Sequence, residues 1–253
     1  MKRILVTRAE HQAGKLSDGL RAAGFEPVEV PVLEIKPPAS FDPLDAALRK
    51  IQSYDWLIFT SFNSIPAFHV RAIDSGIKID ALRARVAAVG KATAQAVETF
   101  LHLKVSITPR EYVAESLVSS LRDQIAGKRV LLARAAVARD LVPDSLRAVG
   151  AIVDVVDAYQ NVIPDGAPES LRAALAAAID AATFTSSSSA THLAEVAQAA
   201  DVKFPISGVK AISIGPITSA TLRELGWPAA AEADPHDIPG LIAAVESVLK
   251  ADG

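Results

Sequence analysis

A duplication restricts this chain more than any other feature. VAAVGKATAQAV (Val86–Val97) returns as AISIGPITSATL (Ala211–Leu222), with Gly90 matching Gly215 and Thr93 matching Thr218 at an offset of 125 (215 − 90). KRILVTRA (Lys2–Ala9) matches KRVLLARA (Lys128–Ala135), and LRAAG (Leu20–Gly24) matches LRAVG (Leu146–Gly150), at an offset of 126 (128 − 2). IFTS (Ile58–Ser61) matches TFTS (Thr183–Ser186) at an offset of 125 (183 − 58). The chain therefore reads as two related halves, about 1–126 and 127–253. With 253 residues and 50% hydrophobic content, it is long enough for two compact bodies, each with its own core.

Each half alternates strand and helix patterns. Ile4–Val6, Val130–Leu132, Leu57–Phe59, Val86–Val89 and Ile212–Ile214 are apolar runs of strand length, and Phe25–Val30 and Ile152–Val156 alternate as strands do. Apolar positions three or four apart (Ile65, Phe68, Ala72; Val97, Phe100, Leu101; Leu117, Leu121, Ile125) predict helices between them. Gly24 and Gly150 stand where helix C-termini favour glycine. This order predicts an α/β fold of two related lobes, each a parallel sheet flanked by helices.

The proline-rich breaks lie inside the halves, not between them, at KPPASFDP (Lys36–Pro43) and NVIPDGAP (Asn161–Pro168). The chain is thus expected to leave one lobe near residue 37 and return near residue 163. One lobe then holds 1–36 plus 164–253 and the other, inserted, holds 39–162, with paired connections and a cleft between them.

The net charge of −3 and the absence of a long basic run argue against a sequence-independent grip on nucleic acid. The chain has no cysteine, which excludes disulfides and thiolate chemistry and fits a reducing compartment. Ile4, Leu5 and Val6 are too short a run for a secretory signal, and no segment has membrane-spanning length. The expectation is a cytoplasmic protein that works without a membrane, as a monomer.

A strand that ends in Gly-x-x-Thr and opens a helix presents free backbone N–H groups, favourable peptide dipoles and a hydroxyl donor to an anion. Gly90 with Thr93 and Gly215 with Thr218 fit this pattern, as do Thr60-Ser61 and Thr185-Ser186-Ser187 after their strands. In open α/β sheets ligands lie beyond the strands' carboxyl ends, where these turns belong. Plain capping explains any one of them; four, paired by repetition, point to a site. GKAT (Gly90–Thr93) lacks the rest of a phosphate loop, no G-x-G-x-x-G follows a strand, and the five histidines show no metal-ligand spacing. No metal and no cofactor are expected. Asp154 and Asp157 read as carboxylates on or beside a strand, facing solvent. By position alone Tyr159, in DAYQNV, reads as an amphipathic strand residue that packs its ring and wets its hydroxyl.

VTRA, DWLIFTSFNS (Asp55–Ser64), VAAVGKAT, YxAESL (Tyr112–Leu117), LRAxGAxVDxVDAYQN and AISIGPIT together resemble the uroporphyrinogen-III synthase family across essentially the whole chain. The resemblance implies a cofactor-free lyase of tetrapyrrole biosynthesis, with two α/β lobes joined by a two-stranded connection. Such an enzyme takes the small-molecule substrate hydroxymethylbilane, expels its hydroxyl as water, inverts ring D and closes the macrocycle. It also implies Tyr159 as the tyrosine beside the leaving hydroxyl. Carboxylate-binding positions carried over from the family are Thr60, Ser61, Asn63, Gly90, Thr93, Ser186, Ser187, Gly215 and Thr218, with Lys210 bordering the cleft and Arg8 a further candidate. Where relatives often read Gly-Pro-Thr-Thr, this chain has Ile217, which brings no side-chain donor. The competing reading is a non-catalytic two-lobe binding protein for a small anionic metabolite; a nucleotide-dependent transferase is a more distant one.

Overall fold

The computed structural model describes residues 1–79, 82–109, 114–138 and 140–250. The chain opens with β1 (Arg3–Val6), α1 (Glu10–Ala22), β2 (Glu26–Glu29), β3 (Glu34–Lys36), α2 (Asp42–Arg49), β4 (Trp56–Phe59) and α3 (Ser64–Asp74). It continues through β5 (Arg85–Ala88), α4 (Lys91–Ala96), a π turn over Val97–Leu101, β6 (Val105–Ile107), α5 (Ala114–Ile125), β7 (Arg129–Ala135) and α6 (Leu141–Ala148). The rest is β8 (Ile152–Val162), α7 (Ala167–Ala174), β9 (Ala181–Phe184), α8 (Ser187–Ala199), β10 (Lys210–Ser213), α9 (Pro216–Glu224), β11 (Ala231–Glu232) and α10 (Ile238–Lys250). Of the motif Tyr112–Leu117, Tyr112 and Val113 lie outside the described residues.

Two compact units result: Met1–Glu34 with Val162–Gly253, and Ile35–Asn161. The first holds a five-stranded sheet in the order β11-β10-β9-β1-β2, parallel at every pairing. The second holds a six-stranded sheet, β3-β8-β7-β4-β5-β6, parallel from β8 to β6. The duplication explains the likeness. By sequence β7 is the partner of β1, β4 of β9 and β5 of β10. The order β8-β7-β4-β5 therefore repeats β2-β1-β9-β10. Each unit takes the front of one half and the back of the other. In both, the order reverses beside the strand carrying the K-R-[IV]-L repeat, between β1 and β9 and between β7 and β4; that is where open α/β sheets bind ligands.

Short apolar strands suit sheets covered on both faces. WLIF of β4 and AATF of β9 are buried at every position. Alternation assigns their side chains to faces: Leu57 and Phe59 join the core with Leu44, Phe68 and Val97, whereas Trp56 and Ile58 join Leu117, Leu121 and Leu146 on the other face. In the first unit Leu5 packs with Leu171, Leu193 and Leu222, and Ile4 and Val6 pack with Leu16, Leu20, Leu241 and Val245. A fully buried leucine stabilises by about 1.5–3 kcal/mol, so these four half-cores outweigh any surface contact.

One ion pair joins helices on the α2/α3 side. Arg71 Nε and Nη2 donate to the two carboxylate oxygens of Asp45 at 2.6 and 2.5 Å. The Arg71 hydrogen bond and its charge hold the Asp45 carboxyl below the usual carboxylate range. A group that titrates lower when folded adds stability that is complete above about pH 4 and vanishes as the pH falls through the lowered value. Asp45→Asn is thus expected to lower Tm at neutral pH. That gap should close in melts run below about pH 4; a gap independent of pH would show that the pair contributes by packing alone.

Candidate functional site

Tyr159 is placed by an irregularity in its strand. β8 follows β7 in register from Arg129↔Ile152 to Arg134↔Asp157, and then the pairing jumps so that Ala135 faces Tyr159. The extra residue is Ala158. Strict alternation from Val156 would put Ala158 on the Val156 face and Tyr159 on the opposite face, with Val153; with the shift, both are buried in the core that contains Phe59 and Ala133. Bulges commonly re-aim a side chain next to active sites. Tyr159 is 5% exposed, and its Oη donates to Ser61 Oγ at 2.9 Å. Burial pushes its pKa up, opposed by the side-chain hydrogen bonds of Ser61 and Asn63, so at neutral pH it is an uncharged O–H donor.

Ser61 follows the carboxyl end of β4. Its Oγ also accepts from the Asn63 backbone N–H at 3.2 Å, and its carbonyl accepts from Ser64 Oγ at 2.6 Å. With two donors on its oxygen, the Ser61 hydroxyl keeps its own proton for a third partner. Thr60, Ser61, Asn63 and Tyr159 thus belong to one end of the second sheet. Gly90 and Thr93 open α4 after the next strand, β5; Thr93 is 4% exposed.

In the first unit the matching ends carry Ser186, Ser187, Gly215, Thr218 and Arg8. Ser186 closes a capping box with Ser189 at the start of α8: its Oγ accepts from Ser189 N at 3.1 Å. Ser187 Oγ lies 2.9 Å from Thr221 Oγ1. The Ile217 carbonyl, at the position without a side-chain donor, accepts from Thr221 Oγ1 at 3.1 Å. Two hydroxyls outside the sequence-based candidates stitch the switch point itself: Thr7 Oγ1 donates to Thr183 O at 2.8 Å and Thr183 Oγ1 to Leu5 O at 3.1 Å. The signal was present in the matched VTRA and TFTS, but a threonine at a strand end does not announce a cross-strand bond.

Arg8 stands just beyond β1. Its Nη2 reaches Gln12 Oε1 at 3.4 Å, while its Nε is buried without a hydrogen-bond partner. Desolvation holds its pKa below the usual arginine value, yet the group stays charged. A buried donor left unpaired costs about 1–3 kcal/mol, and a carboxylate would relieve it. Lys210 is placed differently. It is the first residue of β10, opposite Ala181, so it lies at the amino end of the strand whose carboxyl end leads to Gly215. The structure does not gather Lys210 with the other candidates of its unit.

The twin glycines differ in what they require. Gly90 has φ +85° and ψ 150°, a region open to glycine almost alone. Gly215 is extended at φ 172°, and a Cβ there would meet the His236 ring at 3.4 Å. Gly90→Ala is expected to destabilise by about 1–3 kcal/mol, against a smaller loss for Gly215→Ala; urea titrations of both variants check the order.

Asp154, on β8, is no idle solvent-facing carboxylate: it accepts from Tyr54 Oη at 2.6 Å and Lys50 Nζ at 2.8 Å. Among the described residues no group of three or more His, Asp or Glu side chains could hold a metal, and no helix is long and apolar enough to cross a membrane.

Fold and site together define a two-unit, doubly wound α/β protein whose strand ends carry hydroxyls and helix-opening backbone N–H groups. The family model described as uroporphyrinogen-III synthase HemD matches residues 14–243. The chain belongs to the uroporphyrinogen-III synthase family, the cyclising lyases of porphyrin biosynthesis. The uroporphyrinogen-III synthase of Synechococcus elongatus is 36% identical over 250 residues, which cover 97% of this chain and 94% of that protein. That of Chlorobaculum parvum is 28% identical over 258 residues, covering 99% and 100%. The fold is shared with a mutant uroporphyrinogen III synthase from Thermus thermophilus, at a TM-score of 0.72, 18% identity and coverage of 99% and 100%. It is shared also with uroporphyrinogen-III synthetase from Helicobacter pylori, at 0.63, 18%, 98% and 100%.

Proposed function

We propose that this chain converts hydroxymethylbilane to uroporphyrinogen III, with Tyr159 assisting departure of the hydroxyl and the strand-end donors of both units holding the substrate's carboxylates. The observation that carries the reading is Tyr159 itself: a neutral phenol, buried by a strand irregularity and hydrogen-bonded to Ser61 within the donor group of β4. The C–O bond of the hydroxymethyl group breaks as the pyrrole nitrogen supplies electrons, and the oxygen leaves as water with the Tyr159 proton. The substituted carbon of ring D then attacks the electron-poor azafulvene carbon, giving a spiro intermediate that rearranges to the inverted ring, and the proton ring D loses on final closure, passed through water, restores the Tyr159 hydroxyl.

The substrate carries eight carboxylates, so many uncharged donors suit it better than one rigid ionic fork. Thr60, Ser61, Asn63, Gly90 and Thr93 serve in one unit, and Arg8, Ser186, Ser187, Gly215 and Thr218 in the other. Lys210, at the amino end of β10, is left out of this set. Favouring the spiro route a hundredfold over direct closure takes about 2.7 kcal/mol of differential transition-state stabilisation, which positioning supplies without a strong acid or base. The same reading has the protein act as a cytoplasmic monomer without nucleic acid. Incubation of purified protein with hydroxymethylbilane tests it: the type III isomer is expected to dominate, and a product distribution left at the spontaneous type I isomer would overturn it in favour of a binding protein.

A further inference from the structure

The duplication gives Arg8 a twin, Arg134, which the motifs behind the candidate site did not single out. Arg134 is the penultimate residue of β7, the strand at which the second sheet's order reverses. The register Phe59↔Ala133 sets it beside Thr60, at the carboxyl end of the neighbouring strand. Its side chain is only 12% exposed, and its Nη2 donates to Asp140 Oδ1 at 2.6 Å. Asp140 is 67% exposed, so most of its charge interaction is screened by water.

Asp140 is also a helix cap that does not cap. It occupies the N-cap position of α6, yet its side chain makes no capping hydrogen bond; its Oδ1 is turned to Arg134 instead. A carboxylate at an N-cap ordinarily accepts from the first-turn N–H groups. An anion that replaced Asp140 at Arg134 would release Asp140 to water, to which it is already 67% exposed; Pro143 at the third helical position has no N–H to offer it. In the first unit the twin Arg8 faces the neutral Gln12 at 3.4 Å, so among the described residues a carboxylate is bonded to the arginine of the second unit and not to that of the first.

We propose that Arg134 is a further carboxylate-binding residue and that Asp140 is a resident competitor which a substrate carboxylate displaces. The inference rests on the proposed conversion of hydroxymethylbilane. Two variants move in opposite directions under it. Arg134→Gln is expected to raise KM for hydroxymethylbilane at least tenfold while kcat falls less than threefold. Asp140→Asn, which keeps a good N-cap residue and removes the competing charge, is expected to lower KM at least twofold.

If the pair were merely structural, breaking it from either side would do the same thing. KM rising in both variants, or staying within twofold of wild type in Arg134→Gln, overturns the proposal. Should Arg134→Gln fail to fold in a thermal melt, Asp140→Asn decides alone: a lower KM supports the exchange, and an unchanged or higher KM refutes it. Wild-type protein run in parallel separates the two readings, because absence of type III product from wild type defeats the enzymatic reading, whereas normal wild-type conversion with the wrong KM pattern defeats only the role of Arg134.

Discussion

Tyr159→Phe is expected to lower kcat for hydroxymethylbilane at least tenfold while leaving the secondary structure intact. The substitution removes one oxygen from a side chain whose ring is packed among Phe59, Ala133 and Ala158, so the ring and its burial remain. What disappears is the proton donor. General-acid assistance is typically worth 10²–10⁴-fold, and tenfold is the least that a residue touching the leaving group should show. The loss should fall on kcat, because in the proposed function the tyrosine acts on the departing oxygen and not on the carboxylates that dominate binding. The bond from Tyr159 to Ser61 adds about 1 kcal/mol to stability, so a small drop in Tm accompanies the effect. Circular dichroism and a steady-state assay of the type III isomer separate the two consequences. Near-normal kcat with the same small Tm drop would reduce Tyr159 to a core residue with a satisfied hydroxyl.

The largest stability effect is expected from Phe184→Ala. Phe184, the last residue of β9, is fully buried and meets the Trp227 ring edge-on at 5.5 Å, and Trp227 in turn meets Phe204 at 5.2 Å. Truncation leaves a cavity where three aromatic rings interlock, and such losses cost about 3–5 kcal/mol. The two tryptophans allow this to be localised, since Trp227 belongs to one unit and Trp56 to the other. Denaturation followed by fluorescence in Trp56→Phe and Trp227→Phe backgrounds should show the Trp227 midpoint falling much further than the Trp56 midpoint. Equal shifts would mean that the units unfold as one. A change below about 1 kcal/mol would mean that the surrounding helices collapse into the space.

Much of the architecture was legible in advance because it is carried by local chemistry. Ile4–Val6, Leu57–Phe59 and Val130–Leu132 are too apolar and too short for anything but covered strands, and the glycines after the helices mark their ends. Less visible were β3, β6 and β11, of two or three residues with half-exposed side chains, which have too little hydrophobic contrast to register. The expected helix around Val97, Phe100 and Leu101 is present but as a π turn, a change of hydrogen-bond spacing that apolar periodicity does not report.

The candidate site divides in the same way. Thr60, Ser61, Thr93, Ser186, Ser187 and Thr218 could be named because strand, turn and hydroxyl follow one another in the chain. Lys210 was grouped with them by resemblance, but it opens the strand whose other end, at Ser213, leads into the turn. Sequence proximity to Gly215 says nothing about which end of the strand a side chain occupies. Tyr159 depended most on tertiary structure. Its alternation with Ala158 assigns it to the opposite face of the sheet, and only the register shift against Arg134 and Ala135 turns it to the face of Ser61.

Sequence alone determined that strand-turn-helix modules occur twice and that their turns carry donors, because those properties reside in the order of a dozen residues. Tertiary structure decided which modules share a sheet. β1 lies beside β9, not beside its repeat neighbour β4, since pairing across a separation of 176 positions, such as Thr7 with Thr183 (183 − 7), is settled by which apolar faces can be covered together. It also decided the one-residue slip that aims Tyr159, because a bulge is a property of the pairing of β8 with β7 and not of β8 alone.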